Sequence, residues 1–283
     1  MPRPSIQPEE RLRAVELLLL WEGRVSRARL LELFAVHETM ASRDIAAFRS
    51  AFPEACVPAP SGKAYVRTAK LRPTLSEGRF GEYERLVGVG GEMSALVGIP
   101  NAVVQANVTP ITYLDHSALH EAIRSGDAVS MTYRSMSQPV PHRRTIRPHA
   151  LIKAGTRWHV RGWCTTTAEF RDFNLGRITQ VEAVDSFGMP AGDKDAQWST
   201  RVTMRLIPHP LLSSAQRQMV RDEYMQGTTA LVFEVEMPLV HYVIQAYRAG
   251  LDPKRHTPPE YILMVERPES LPAGSIWGHS AAA

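Results

Sequence analysis

The sequence predicts a multidomain α+β protein, and three observations carry that expectation. Three helical segments before Pro53 lead into a two-strand turn signal; four short strand-like segments crowd together between Val129 and Ile178; and strands alternate with helices from Trp198 onward. At 283 residues the chain is longer than a usual single domain, so two or three domains are expected, each able to bury a core. Its composition is ordinary, with 44% apolar and 22% charged residues and a formal net charge of +4.

From Pro8 to Trp21, Leu12, Val15, Leu18 and Leu19 follow helical spacing, with Pro8 and two glutamates at the favourable amino end and Gly23 as the stop. Ser26 suits the N-cap of a second helix through Leu30, Leu31 and Phe34, because its hydroxyl can accept from an otherwise orphan backbone N–H. A short turn, Ala35 to His37, leads to a third helix that starts near Glu38 or Thr39, runs through Ile45 and Phe48, and stops before Pro53. Segments Ala55 to Ala59 and Ala64 to Thr68 flank Pro60-Ser61-Gly62-Lys63, a hairpin signal.

Three helices followed by a hairpin is the order of a winged helix, assigned here to residues 1–70. The third helix is then expected to enter a major groove and present Thr39, Ser42, Arg43 and Arg49, with Lys63 in the hairpin turn completing the DNA-binding set. Arg43 is suited either to guanine or to phosphate. These residues hold 11 Lys+Arg against 8 Asp+Glu, so pattern, more than charge, supports DNA binding. The alternative is a helical interaction or dimerisation module in which Arg43 and Asp44 are a solvated surface pair.

Residues 71–112 read as a helical linker, with helical character from Glu82 to Val87. Gly88-Val89-Gly90-Gly91 is read as a turn, since no apolar strand precedes it and no lysine follows at the spacing of a phosphate loop. A helix from Asp115 to Arg124, burying Leu119 and Ile123 and ended by Gly126, opens the middle domain, 113–190. Within it, from Tyr133 to Arg177, nine cations face only Glu169 and Asp172, a balance that favours an anion. The expected strands are Val129 to Ser135, Arg143 to Leu151, Arg157 to Cys164 and Glu169 to Ile178. Alternation puts His159 and Arg161 opposite Trp158 and Val160, and places Arg171, Phe173, Leu175 and Arg177 on one face of a small, bent sheet or barrel.

The succession Met131-Thr-Tyr-Arg-Ser-Met, Arg144-Thr-Ile-Arg-Pro-His-Ala-Leu, Arg157-Trp-His-Val-Arg-Gly-Trp-Cys and Phe170-Arg-Asp-Phe-Asn-Leu-Gly-Arg-Ile resembles the WYL domain, and within it the phage-defence regulators of the CapW and BrxR type. The naming tripeptide departs here, as Trp158-His159-Val160. The resemblance implies a winged helix, an Sm-like β-barrel that senses a nucleotide or nucleic-acid fragment without chemistry of its own, and a C-terminal dimerisation domain. Carried over by position, the ligand-binding set is Tyr133, Ser135, Arg144, His149, His159, Arg161, Arg171, Phe173 and Arg177. Guanidinium forks match phosphate oxygens and aromatic rings stack on bases, although buried aromatics more often serve a core.

The last domain, 197–283, is expected as a strand from Trp198 to Ile207, a helix from Leu211 to Met225, a strand from Thr228 to Met237, a helix from Pro238 to Ala249 and a strand from Tyr261 to Val265, before a frayed tail from Pro272. By resemblance it forms a homodimer, which would read a pseudo-palindromic double-stranded operator. Cys56 and Cys164 are expected as buried thiols. Neither they nor His142, His149 and His159 show zinc-ligand spacing, and no catalytic set or cofactor motif stands out. With no signal-peptide pattern and no membrane-length apolar run, a cytoplasmic protein without membrane contact is expected. The function implied is repression of a phage-defence operon, relieved by the anionic ligand. The alternatives are an RNA- or nucleotide-processing enzyme and a regulatory subunit that does not bind DNA.

Overall fold

Helix α1 (Pro8–Trp21) carries Pro8 in its first turn, where the missing N–H costs nothing, and Glu9 and Glu10 beside it. From Ala14 to Trp21 every residue is buried, because α1 packs against helices on several sides. The structure is a computed structural model that describes residues 7–34, 36–87 and 110–276. Its contacts divide it into two units, one through Gly192 and one from Asp193.

Gly23, at φ +75, turns the chain into β1 (Arg24–Ser26), a strand not anticipated from so short a segment. Ser26 also caps α2 (Arg27–Phe34), its Oγ accepting from Arg29 N–H at 3.2 Å. Helix α3 (Glu38–Ala51) follows. It is tied to α1 by a bidentate pair, Arg11 Nε to Asp44 Oδ2 at 2.7 Å and Nη2 to Oδ1 at 3.1 Å. Asp44 therefore has a structural partner that its neighbour Arg43 does not supply. Strands β2 (Cys56–Pro58) and β3 (Ala64–Arg67) form the expected hairpin, and β1 adds to β3 to give the antiparallel order β1-β3-β2.

Helix α4 (Phe80–Leu86) starts where the Glu82 carboxylate accepts from Arg79 N–H at 2.9 Å, and Arg13 of α1 pairs with the same carboxylate. Gly88 to Gly91 lie outside the described residues. Helix α5 (Tyr113–Ser125) is capped by Thr112 and closed by Gly126 at φ +77, the left-handed conformation that glycine adopts without strain. Trp21, Phe80, Tyr83 and His116 meet where α1, α4 and α5 converge: the Trp21 and Phe80 centroids are 4.9 Å apart, and His116 lies within 5.6 Å of all three rings. His116 Nδ1 reaches the Trp21 carbonyl at 2.7 Å.

Five antiparallel strands follow: β4 (Ala128–Tyr133), β5 (His142–Ala154), β6 (Arg157–Cys164), β7 (Glu169–Asn174) and β8 (Ile178–Val184). Their order is β7-β6-β5-β4-β8, and irregularities in β4 and β5 bend the sheet. The single strand expected from Glu169 to Ile178 is broken at Leu175–Arg177 by a 3-10 turn, because Asn174 Oδ1 accepts from Gly176 N–H at 2.9 Å and competes with ladder pairing. Arg177 accordingly does not continue the strand face of Arg171 and Phe173. One apolar cluster runs from Val15 and Leu18 through Phe80 and Leu119 to Met131, Val160 and Phe173, so helices and barrel share a core.

In the second unit α6 (Ala196–Ser199), β9 (Arg201–Pro208), α7 (Ser214–Met225), β10 (Leu231–Glu236), α8 (Val240–Ala246) and β11 (Leu263–Val265) build a sheet of order β10-β9-β11. Trp198, expected to begin a strand, lies in α6, whose N-cap Asp195 accepts from Trp198 N–H at 3.1 Å. Val202, Met204 and Leu206 line the buried face of β9 against Val220 of α7 and Val240 and Ile244 of α8. Among the described residues, no helix is long and apolar enough to cross a membrane.

Two outcomes test these packing statements. A Cβ on Gly162 would stand 2.6 Å from the Arg147 carbonyl oxygen and 2.8 Å from Pro148 Cα. Gly162→Ala must therefore move backbone, and chemical denaturation should show a loss of about 1–3 kcal/mol. His116 donates Nδ1–H to a carbonyl while its buried Nε2 has no partner, so a second proton there would lack an acceptor; burial holds its pKa down at about 4. Because the folded pKa lies below the unfolded one, the neutral ring's contribution is intact above pH 6.5 and is lost as pH falls from 6.5 to about 4. His116→Phe should flatten that part of the stability profile, which for the parent spans roughly 3 kcal/mol at this residue.

Candidate nucleic-acid interface and anion site

Thr39 and Arg43 are exposed on the amino-terminal half of α3. Ser42 is half-buried, its Oγ donating to the Glu38 carbonyl at 2.9 Å. Arg49, one helical stretch further on, serves the fold differently: Nη1 donates to Tyr65 Oη at 3.0 Å and Cζ stands 4.4 Å from the ring centroid. It braces the hairpin against α3 by a hydrogen bond and a cation–π contact. Lys63 is exposed in the hairpin turn. Between α3 and the hairpin lies an open cleft of about 300 Å3, lined by Ser26, Arg27, Ser42, Ile45, Ala46, Gly62, Lys63 and Tyr65. Arg27, directly after the cap of α2, was not among the expected contacts. It pairs with Glu38 at 3.0 Å, an exposed bridge that leaves the guanidinium at the cleft mouth.

The barrel candidates divide between two faces. Paired residues on adjacent strands share a face, so Tyr133, paired with His142, and Arg144, paired with Met131, stand on the side of Val160 and Phe173. Tyr133 and Phe173 are both buried and meet edge to face at 5.1 Å, with the Tyr133 hydroxyl accepting from Asn174 N–H at 3.4 Å. Both belong to the core, the outcome that buried aromatics most often have. Ser135 closes the turn after β4 by accepting from Gln138 N–H at 2.9 Å.

His159 and Arg161 occupy the opposite face with Asp172 and Asn174. Arg161 Nη1 donates to Asp172 Oδ1 at 2.8 Å, both side chains being 4% exposed. Its charge is therefore compensated inside the protein. Burial holds the His159 ring well below its ordinary pKa, at about 4; Asp172 opposes that shift, while Arg157 and Arg177 reinforce it. His149 packs edge-on against Phe170 at 5.6 Å and backs onto Gly192, where an added Cβ would stand 2.5 Å from its own. Arg171 is exposed beside Glu169 at 3.5 Å, and Arg177 sits in the 3-10 turn.

The sequence window of nine cations thus overstates the net field. Carboxylates from outside it compensate two of the nine: Glu182 accepts from Arg143 at 2.7 Å, and Glu84 of α4 accepts from Lys153 and from Trp158 Nε1, the latter at 2.6 Å. Arg147 is spent on backbone carbonyls, Gly126 at 2.9 Å and Met189 at 2.5 Å. Glu84 lies 69 residues from Lys153 and 74 from Trp158, and no local signal in the sequence joins them.

Arg144 differs from these. Its Nε contacts His142 Nε2 at 3.0 Å and its Nη2 reaches Gln138 Oε1 at 3.4 Å, neither of them a carboxylate, while its buried Nη1 has no hydrogen-bond partner. Burial raises the Cys164 thiol pKa, but hydrogen bonds from Thr167 and Thr166 and the nearby Arg144 charge outweigh it, and the net shift is downward. The guanidinium is thus held without a carboxylate partner, and one of its N–H groups is left unsatisfied. Among the described residues no cluster of His, Cys, Asp and Glu suits a metal ion.

Family models match the chain in three consecutive stretches: residues 7–88 as the BrxR transcriptional regulator winged helix-turn-helix domain, 115–183 as the WYL domain, and 201–271 as the BrxR transcriptional regulator C-terminal dimerization domain. The chain is 31% identical over 221 residues to a DNA-binding transcriptional repressor CapW of Stenotrophomonas maltophilia, covering 76% of this chain and 74% of that one. It is 29% identical over 248 residues to the protein of that name from Escherichia coli strain KTE188, covering 83% and 81%. Among solved structures, proteasome accessory factor B/C of Arthrobacter aurescens aligns with 96% of this chain at 15% identity and a TM-score of 0.27; this chain spans 50% of that longer one.

The two kinds of barrel arginine separate experimentally. Asp172→Ala leaves the Arg161 charge buried without its carboxylate and should cost about 3–5 kcal/mol in denaturant unfolding. Arg171→Ala removes only a solvent-screened pair and should change stability by less than about 0.5 kcal/mol.

Proposed function

The chain belongs to the family of WYL-domain transcriptional regulators of the CapW and BrxR type, and we propose that it is a homodimeric repressor of a phage-defence operon whose barrel releases it from DNA on binding an anionic nucleotide or nucleic-acid fragment. The ordered match of a winged helix, a WYL domain and a dimerization domain carries this reading. Arg43 and Thr39, exposed on the leading half of α3, supply the groove contacts, and Lys63 and Arg27 flank them for phosphate. Arg49 and Tyr65 hold the hairpin at the angle those contacts need. Two such surfaces in a dimer require an operator with two related half-sites.

In the barrel Arg144 is the leading contact for the effector, since its unsatisfied edge gains a partner that the other buried cations already have. The effector acts by binding the released conformation more tightly than the DNA-bound one; equal affinity for both would shift nothing.

Mobility shifts with a duplex from the protein's own upstream region test the DNA half. A sequence-preferring complex is expected that weakens steeply with salt, and Arg43→Ala should lower operator affinity by roughly 5–150-fold while the dimer survives gel filtration. Absence of any salt-sensitive complex overturns the repressor reading.

A further inference from the structure

Helix α4 is only seven residues long, yet two adjacent side chains on it engage different parts of the first unit. Glu84 takes the Trp158 indole N–H at 2.6 Å and the Lys153 ammonium, and so holds the hairpin between β5 and β6. Tyr83 donates its hydroxyl to Glu22 Oε1 at 3.1 Å, just beyond the end of α1. Glu22 is gripped in turn by Arg29 of α2, Nη2 to Oε1 at 2.7 Å and Nε to the two oxygens at 3.1 and 3.2 Å. Tyr83 and Glu22 are buried, where low dielectric strengthens well-aligned polar contacts and makes broken ones expensive.

We infer that α4 carries the state of the barrel to the helix-turn-helix, with Trp158 on Glu84 as its input contact and Tyr83 on the Glu22–Arg29 pair as its output. The inference rests on the repressor reading above. Apolar packing alone would hold α4, since Phe80 is wedged against Trp21, His116 and Trp158. The polar contacts add direction. Buried ion pairs stabilise little compared with apolar substitutes of the same shape, but they select one arrangement of the elements that share them. Burial and the Glu22 charge also push the Tyr83 hydroxyl far above its ordinary pKa, so it remains a donor throughout the physiological range.

The output contact reaches the DNA face in one step. Arg29 lies two residues beyond Arg27, and its backbone N–H is the donor that Ser26 caps; Ser26 and Arg27 both line the cleft beside α3. A displacement of α4 that loosens Glu22 from Arg29 therefore shifts the start of α2 against the recognition helix. Short of rearranging, α4 cannot move with the barrel and keep both of its polar ends.

Coupling between sites is reciprocal, so DNA at α3 must be felt at the barrel, and the operator duplex itself can serve as the probe. Hydrogen exchange of the full-length protein is measured across Ala154 to Trp158, with and without a duplex of the upstream region. In the parent, exchange there should change on DNA binding. Tyr83→Phe, which removes one hydroxyl from the output end, and Glu84→Gln, which weakens the input end, should each still bind the duplex but lose that change. Thermal unfolding confirms that the variants are folded, and if one is not, the other decides. A parent hairpin indifferent to bound DNA, or a folded variant that keeps the full response, overturns the inference. A parent that forms no complex with the duplex instead defeats the repressor reading on which it stands.

Discussion

The rings of Trp21, Phe80, Tyr83 and His116 join three helices at one buried point, and most of the first unit hangs on that junction. The His116 bond to the Trp21 carbonyl satisfies an acceptor at the end of α1 that the helix leaves without an intrahelical donor. The same histidine lies on α5, which packs against β4, β5 and β8, so the last turn of α1 in the winged helix and the wall of the barrel are set by a shared residue. That makes one continuous core out of what the sequence presents as two domains and a linker. The cost is visible in the unpartnered Nε2 of His116 and Nε1 of Trp21, polar atoms that only dense packing around them can compensate.

Electrostatics inside the barrel follow a related logic. Four of its nine cations are committed to the fold: Arg161 to Asp172, Lys153 to Glu84, Arg143 to Glu182, Arg147 to two carbonyls. Each commitment fixes an element, and the three carboxylate pairs withdraw positive charge from the field that an arriving anion would meet. What survives depends less on the number of arginines than on who faces them. Arg144 survives because its hydrogen bonds go to His142 and Gln138 and to no carboxylate.

Much of the fold was legible because its elements obey local rules. Pro8, Gly23, Ser26, Pro53 and Gly126 mark boundaries through backbone geometry or capping, and the structure uses them there. Alternation likewise placed Trp158 opposite His159 in β6. The failures share a different cause. The break at Leu175 depends on one side-chain bond from Asn174, the burial of all of late α1 depends on partners far along the chain, and Glu84 meets Trp158 only after folding. A charge count over a window of sequence cannot foresee carboxylates that arrive from outside it. Site residues were harder still: Arg49 and Arg161 have the chemistry of anion contacts, and nothing local in the sequence points to Tyr65 and Asp172 as their partners.

If the proposed function holds, the partner pattern also constrains what an effector must be. To carry a repressor from almost fully bound to almost fully released, a ligand needs about 5.5 kcal/mol of preference for one conformation. A hydrogen bond to a charged group is worth about 1.5–3 kcal/mol, and only the part that differs between conformations counts. A single anion resting on the free edge of Arg144 falls short of that figure. The rest must come from contacts made only in one state, either with the exposed Arg171 at the barrel surface or by displacing an internal carboxylate such as Asp172 from Arg161. The second route favours a ligand with several phosphates along a chain over a lone mononucleotide, because Arg144 and Arg161 stand on opposite faces of the sheet and one rigid anion cannot span both. The same accounting gives the carboxylate pairs of Arg143, Lys153 and Arg161 a role: without them these cations would attract any polyanion, a duplex included, and blur the distinction that release requires.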